Sequence, residues 1–263
     1  MNKKVIQPIS SPAELEHKIT AMRKGGQILG SVLRDLRDYV KPGMTGLEID
    51  QWVRKTIEER GGKAAYDYLD EPFPGAICIS VNDALVHGAP TDEPLEEGDK
   101  VSFDLDVLYD GYYTDSAFTM LVGGKGSPVV KQMIKTTEES MWAGINMVRP
   151  GAKIGDISYA VEKVLRKSKL GVIENYVGHG IGKEMHEAPE VPNYGIRGHG
   201  YTLKVGDTIC IEPMSCLGKP ANYVDKDSNW TVRMKDGSIG CHCEHTVLVT
   251  EDGCEVLTLP PEK

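Results

Sequence analysis

The sequence repeats short motifs at a constant separation of 108 residues, the distance from Val40 to Val148. Val40-x-Pro42-Gly43 recurs as Val148-x-Pro150-Gly151, and Gly98-Asp99-x-Val101 recurs as Gly206-Asp207-x-Ile209. Because chance matches at separate places would not keep one separation, the spacing indicates an internal duplication. The period is far too long for a solenoid of small repeats, so the sequence predicts an α+β fold in which two related halves share a central sheet.

Hydrophobic periodicity predicts four helices on the outer face of that sheet, at about residues 12–39, 46–60, 129–147 and 154–168. The first helix is expected to bend at Gly25-Gly26, since two glycines weaken a helix interior. In each half, the helices are followed by a strand that ends in a carboxylate.

The length of 263 residues permits one large domain or two smaller ones. Since the duplication makes the halves share a sheet, we expect a single domain over residues 1–263. It would comprise a tail at residues 1–10 and related halves at about residues 40–115 and 148–223.

Composition restricts the partners of the protein. The formal net charge of −9 argues against nucleic acid as the main ligand. No apolar run approaches the ~20 residues that cross a bilayer, and no apolar segment follows the basic residues near the N-terminus. We therefore expect no membrane partner and a cytoplasmic location. The six cysteines form no C-x-x-C pair and are interpreted as reduced thiols.

Apolar and polar residues alternate from residue 101 to residue 107, as in a strand with one apolar face. Asp104 and Asp106 therefore point to the same side. Asp110-Gly111 predicts a tight turn, after which a second strand carries Asp115 back beside Asp104. These carboxylates would repel one another unless a cation lay between them; the alternative is a solvated polar face at a sheet edge.

Three further residues join this pair. His179 lies between two glycines that leave its ring unobstructed, although Gly-His-Gly by itself is typical of a plain loop. Glu212 and Glu244 lie within apolar strands, where a carboxylate is costly unless it is paired or bound to a cation. With Asp104 and Asp115, they predict a site for two divalent ions, and one imidazole among oxygen ligands suits Mn, Fe, Co or Zn.

The predicted ligands lie within longer motifs: Asp104, ten residues, Asp115, then Gly178-His179-Gly180-Ile181-Gly182, His186-Glu187, Ile211-Glu212-Pro213-Met214, Trp230-Thr231 and Glu244-His245-Thr246. Together these motifs resemble the bacterial type 1 methionine aminopeptidases over roughly residues 11–259. The resemblance implies the pita-bread fold, with a pseudo-two-fold duplication, a central antiparallel sheet and outer helices. The 31 residues between Glu212 and Glu244 leave no room for the helical insert of type 2 enzymes.

The resemblance implies a role for each metal ligand. Asp104 would bind one ion bidentately, Asp115 and Glu244 would bridge both ions, and His179 and Glu212 would complete the shell of the second. Glu212 would also be the general base toward a bridging hydroxide that attacks the scissile carbonyl.

The resemblance also implies catalytic and substrate-binding residues outside the metal shell. His87 would contact the scissile region and assist proton transfer, and His186 would hydrogen-bond the substrate carbonyl. Their alternatives are a capped loop histidine and a surface residue. The apolar pocket for the methionine side chain would be formed by Cys78, Phe73, Met185 and Trp230.

The sequence departs from the family pattern at several positions of the predicted site. Met185 stands where bacterial relatives usually have Phe, and Asp67 and Asp70 occupy a stretch that is often Cys and Tyr. Either Tyr66 or Tyr68 would supply the missing aromatic ring. A further acidic residue, Asp106, replaces a small hydroxyl residue, and we expect its charge to change the metal preference.

The predicted function is removal of the initiator methionine from nascent polypeptides, with preference for a small second residue. We expect a monomer, and the ribosome is considered as a docking partner. Two alternatives remain. One is a proline-specific aminopeptidase or prolidase, which shares the five ligands; the other is a binding module of the same fold that lacks metal.

Overall fold

The computed structural model describes residues 11–69, 71 and 73–261, so the predicted tail at residues 1–10 lies outside the described residues. All four predicted helices are confirmed to within two residues at each end. They are α1 Pro12–Tyr39, α2 Gly46–Glu59, α3 Pro128–Ile145 and α4 Ile154–Lys167.

The described residues form fifteen strands, many of them short. They are β1 Lys63–Ala64, β2 Cys78–Val81, β3 Ala84–Val86, β4 Lys100–Tyr109, β5 Tyr112–Leu121, β6 Gly171–Val172, β7 Gly178–Gly180, β8 Glu187–Val191, β9 Thr208–Ile211, β10 Met214–Cys216, β11 Asn222–Val224, β12 Val232–Met234, β13 Gly240–His242, β14 Glu244–Val249 and β15 Cys254–Val256.

Side-chain caps fix where the first two helices begin. The Ser11 hydroxyl accepts a hydrogen bond from the backbone N–H of Glu14 at 3.2 Å. Thr45 and Glu48 form a reciprocal capping box at the start of α2. Such caps satisfy backbone donors that the first helical turn leaves free, and each typically contributes about 1 kcal/mol. No helix among the described residues is long and apolar enough to cross a lipid bilayer.

Nine strands form one antiparallel sheet in the order β1, β4, β5, β14, β9, β7 and β8, with β2 added at β4 and β15 at β14. Strands from early and late parts of the chain join where β5 pairs with β14. Two smaller sheets, β13-β10-β6 and β11-β12-β3, lie beside it. The α+β fold with a central antiparallel sheet is therefore confirmed.

The helices bury their apolar faces against this sheet. Leu29 of α1 and Ile49 of α2 share a core with Phe103 of β4, and α3 and α4 share a second core with β9 and β14. Since neighbouring residues of a strand point to opposite faces, Asp104 and Asp106 point away from the helices. These carboxylates therefore lie on the face of the sheet that the helices do not cover.

The duplication is visible in backbone detail. The bounds of α2 and α4 differ by the same 108 residues as the motifs, and so do those of β1 and β6. An isolated bridge joins Thr45 to Pro94, and its counterpart joins Lys153 to Thr202. The glycines of the two Pro-Gly turns also share a left-handed conformation, with φ of 91° at Gly43 and 83° at Gly151.

Helix α1 runs unbroken through Gly25 and Gly26. A Cβ atom on Gly26 would lie 2.3 Å from the carbonyl oxygen of Leu257, and one on Gly30 would lie 2.5 Å from that of Thr258. Gly26 and Gly30 therefore permit close contact between α1 and the backbone of the C-terminal segment, which the sequence did not predict.

We expect Gly26→Ala to lower the free energy of unfolding by about 1–3 kcal/mol, since the added methyl group overpacks against the backbone of Leu257. This loss should exceed the gain in helix propensity, which is up to ~1 kcal/mol. Urea unfolding measures it, with Lys24→Ala on the exposed side of the same helix as the control. Equal stability of the two variants would contradict the contact.

Candidate metal centre and active site

The hairpin of β4 and β5 aligns three carboxylates. Its turn residues Asp110 and Gly111 both have positive φ, 48° and 82°, as the type I′ turn of a two-residue hairpin requires. This turn sets the register, in which Asp106 lies opposite Asp115 and Asp104 lies opposite Ala117. Asp115 is therefore the direct neighbour of Asp106 and the diagonal neighbour of Asp104. Each of the three offers an oxygen within 4.8 Å of the others.

The other predicted ligands come from β14 and from the strands beyond it in the sheet. Glu244 begins β14, and Glu212 directly follows β9. His179, in β7, places its Nε2 atom 3.4 Å from Glu212 Oε1 and 3.9 Å from Asp115 Oδ2. The sheet thus brings all five predicted ligands to one region, although the sequence spreads them from residue 104 to residue 244.

The ring of His179 is oriented by the backbone. Its Nδ1 lies 2.9 Å from the carbonyl oxygen of Gly180. A carbonyl oxygen only accepts, so Nδ1 carries the hydrogen and the lone pair of Nε2 faces the carboxylates. Metal-binding histidines usually have this arrangement. Burial lowers the pKa of His179 to about 3, which keeps the ring neutral.

The glycines on either side of His179 lie in strand β7 and not in the open turn that the sequence suggests. Both glycines are buried, so the backbone here is not exposed. A Cβ atom on Gly178 would lie 2.3 Å from the oxygen of Cys210, and one on Gly180 would lie 2.2 Å from that of Ala188. The glycines therefore allow β9 and β8 to approach β7 closely on either side.

The electrostatics of the cluster indicate a cation site. The pKa values of its five acidic side chains are raised well above their usual values, mainly because the side chains are buried. Neighbouring carboxylates raise most of these pKa values further. The five are Asp104, Asp106, Asp115, Glu212 and Glu244. Several buried oxygens accept no hydrogen bond from the described residues, among them Asp104 Oδ1, Asp115 Oδ1 and Glu244 Oε1. Oxygen donors with imidazole suit Mn, Fe, Co or Zn, so the residues fit divalent ions.

Two further residues lie within this cluster. The Cys210 thiol lies among Asp115, His179 and Glu244, but burial raises its pKa well above the usual value, which favours the neutral thiol. His242 lies beside Glu212 and Glu244, and the sequence interpretation gave it no role. The signal was present, because His242 lies two residues before Glu244 and strand periodicity places both on one side.

Three of the four predicted pocket residues, Phe73, Cys78 and Met185, form one buried cluster with Ala65 and Tyr66. The fourth, the half-buried Trp230, packs against this cluster. The rings of Tyr66 and Phe73 are 5.2 Å apart, and those of Phe73 and Trp230 are 5.5 Å apart. The sequence left open whether Tyr66 or Tyr68 supplies an aromatic ring to the pocket. Tyr66 supplies it, since Tyr68 is 52% exposed. Cys78, which lies opposite Asp104 in the sheet, joins this cluster to the metal site, and Met185 completes it.

Of the two acidic departures that the structure describes, Asp106 lies within the site and Asp67 does not. Asp67 is on the surface, where it pairs with Arg54, and so it does not enter the pocket. Asp70 lies outside the described residues. Asp106 is only 2% exposed and belongs to the carboxylate cluster.

His87 and His186, the two histidines predicted to act outside the metal shell, lie at the edge of the cluster. His87 follows β3 in a left-handed conformation with φ of 55°, and its ring packs edge-on against Tyr176 at 5.8 Å. Burial lowers its pKa to about 4, and the nearby His242 and His186 contribute. His186 is exposed, but its ring lies 4.4 Å from that of His179.

The model of metallopeptidase family M24 matches residues 20–251 of this sequence. The chain belongs to metallopeptidase family M24. It is 39% identical to the methionine aminopeptidase of Mycoplasma capricolum over 92% of this chain and 96% of that protein. It is also 39% identical to the methionine aminopeptidase of Aquifex aeolicus, with the same coverage.

Solved structures of this family have the same fold. A crystal structure of methionine aminopeptidase from Rickettsia prowazekii has a TM-score of 0.90 and 36% identity, and the match covers 97% of this chain and all of that one. The prolidase from Pyrococcus horikoshii has a TM-score of 0.74 at 24% identity, which shows likeness of fold alone. The chain is therefore a metal-dependent peptidase with the pita-bread fold, and its resemblance to the methionine aminopeptidases is confirmed.

Proposed function

We propose that the protein hydrolyses the N-terminal methionine from nascent polypeptides and peptides, with preference for a small second residue. The observation that carries this proposal is the position of the apolar cluster. Cys78 lies opposite Asp104 in the sheet, so a methionine side chain packed against Phe73 and Trp230 would place its backbone beside the carboxylates. Thioethers also pack favourably against aromatic rings.

We propose that the five predicted ligands hold two divalent ions in this site. Asp104 would hold one ion, His179 and Glu212 would hold the other, and Asp115 and Glu244 would contact both. When bound, such ions polarise a carbonyl group and lower the pKa of water. The donor set does not distinguish among Mn, Fe, Co and Zn.

Glu212, His87 and His186 would each have a separate role in the proposed hydrolysis. A carboxylate oxygen of Glu212 would accept a proton from the attacking water. His87 is neutral at pH 7, because burial lowers its pKa to about 4, so a ring nitrogen can exchange a proton at the scissile amide. His186 would donate a ring N–H to the substrate carbonyl oxygen as negative charge develops there.

We also propose that the protein acts in the cytoplasm as a monomer on new chains, with the ribosome as a docking partner. This part of the proposal rests on the likeness to bacterial methionine aminopeptidases.

Release of free methionine from a Met-Ala-Ser peptide tests the proposal. The full chain, stripped with chelator, should release methionine only after Mn or Co is added, and it should leave an Ala-Pro dipeptide intact. Cleavage of Ala-Pro alone would instead indicate the proline-specific enzyme. Failure to cleave either peptide with any metal would favour the binding module.

We expect Asp106→Thr to lower the affinity for Mn(II) by about tenfold and the affinity for Zn(II) by less, because Asp106 adds a buried carboxylate beside Asp104 and Asp115 and oxygen donors favour Mn. Calorimetric titration of the stripped protein with each metal measures both affinities. Asp92→Thr, on the surface, is the control. Metal affinities that Asp106→Thr leaves unchanged would count against this role.

A further inference from the structure

The side chain of His242 lies inside the carboxylate cluster without a hydrogen-bond partner. It is 2% exposed, and neither ring nitrogen has a partner among the described residues. Its Nε2 atom lies 3.5 Å from Glu212 Oε2 and 3.7 Å from Glu244 Oε2, and its Nδ1 atom lies 3.9 Å from Asp104 Oδ2. Hydrogen bonds between nitrogen and oxygen span about 2.7–3.2 Å, so the ring bonds directly to none of these carboxylates.

Distances of this size separate atoms that bind a common ion. Donor atoms about 2.0–2.2 Å from one metal ion lie roughly 3–3.6 Å from their neighbours in tetrahedral or octahedral sites. The predicted ligand His179 shows the same spacing, since its Nε2 is 3.4 Å from Glu212 Oε1 and 3.9 Å from Asp115 Oδ2. The two imidazoles therefore approach different oxygens of the same Glu212 carboxylate.

The fold holds the His242 ring in this position. The backbone N–H of His242 donates to Thr119 Oγ1 at 3.3 Å, and its carbonyl oxygen accepts from the same hydroxyl group at 2.6 Å. In β13, His242 pairs with Met214, two residues beyond Glu212. Both neighbouring strands thus fix the backbone from which the ring points toward Glu212 and Glu244.

We infer that His242 is a sixth protein ligand of the metal centre, which binds through Nε2 the ion held by Glu212 and Glu244. This inference rests on the proposed metal site and adds a second imidazole to its oxygen-rich donor set. Imidazole favours Co, Zn and Fe over Mn. His242 therefore shifts the selectivity of the site toward those metals.

The number of imidazoles bound to cobalt tests the inference directly. Co(II) shifts the proton resonance of the ring N–H of each ligating histidine far outside the normal range. The wild-type protein loaded with Co(II) should show two such exchangeable resonances, from His179 and His242, and His242→Gln should show one. Calorimetry should also show a loss of about tenfold in Co(II) affinity, with a smaller loss for Mn(II).

The control is His245→Gln, because His245 follows Glu244 but points to the other side of the strand, toward Ser116 and Thr258. This variant should keep both shifted resonances. A single shifted resonance in a wild-type protein that binds cobalt and releases methionine would overturn the inference and leave the proposed function intact. Because the wild-type spectrum decides the count, the test does not depend on the folding of His242→Gln. A wild-type protein that binds no cobalt would overturn the metal site itself.

Discussion

Asp115→Asn should lower kcat/KM for Met-Ala-Ser on the order of 10³-fold or more and should remove bound metal. Asp115 lies between Asp106 and the strands that carry His179 and Glu244, so its carboxylate is placed to contact both proposed ions. Asparagine keeps the size of the side chain but loses the charge and one strong metal-binding oxygen. Without the ions, the site could not polarise the substrate carbonyl or lower the pKa of the attacking water.

Metal analysis after gel filtration and initial-rate measurements on the same samples test this prediction. The matched control is Asp110→Asn, in the turn of the same hairpin, where the carboxylate is exposed and contacts His17. This control should retain both metal and activity. Full metal content in Asp115→Asn would show that the bridging role assigned to Asp115 is wrong.

His87→Ala should lower kcat for the same peptide by about 10²–10⁴-fold and leave metal content unchanged, as expected for loss of a proton-transfer group. His87 is held at the edge of the cluster by a left-handed backbone and by contact with Tyr176. It lies in none of the groups of potential metal ligands among the described residues. Turnover and metal binding should therefore separate in this variant.

The surface histidine variant His199→Ala is the control for His87, because the His199 ring is exposed and its Nδ1 atom hydrogen-bonds the carbonyl oxygen of Arg197. It should retain wild-type turnover. A His87→Ala protein that is fully active would contradict the role proposed for His87, whatever its metal content.

The sequence predicted the elements whose signals are local. Caps and 3.6-residue periodicity located the helices, and the Asp110-Gly111 turn located the hairpin that carries Asp104 and Asp115. The duplication followed from a constant separation, which needs no knowledge of tertiary structure. The resemblance then supplied the site residues that no local pattern identifies, such as His87 and His186.

The rest depended on tertiary contacts that one sequence does not show. The close contacts of Gly26 and Gly178 were not predicted, because the backbone that each glycine approaches is distant in the chain. The choice between Tyr66 and Tyr68 depended on which ring points toward the pocket. His242 had a local signal, but its importance appears only when β13 brings the ring beside Glu212.

Anomalous diffraction from crystals of the Mn(II)-loaded protein tests the central claim, that the buried carboxylates form a centre for two metal ions. We predict two anomalous peaks roughly 3.5–4 Å apart, one beside Asp104, the other beside His179 and Glu212, and both within reach of Asp115 and Glu244. No peak in this cluster, or a peak only elsewhere, in crystals of protein that releases methionine would contradict the account.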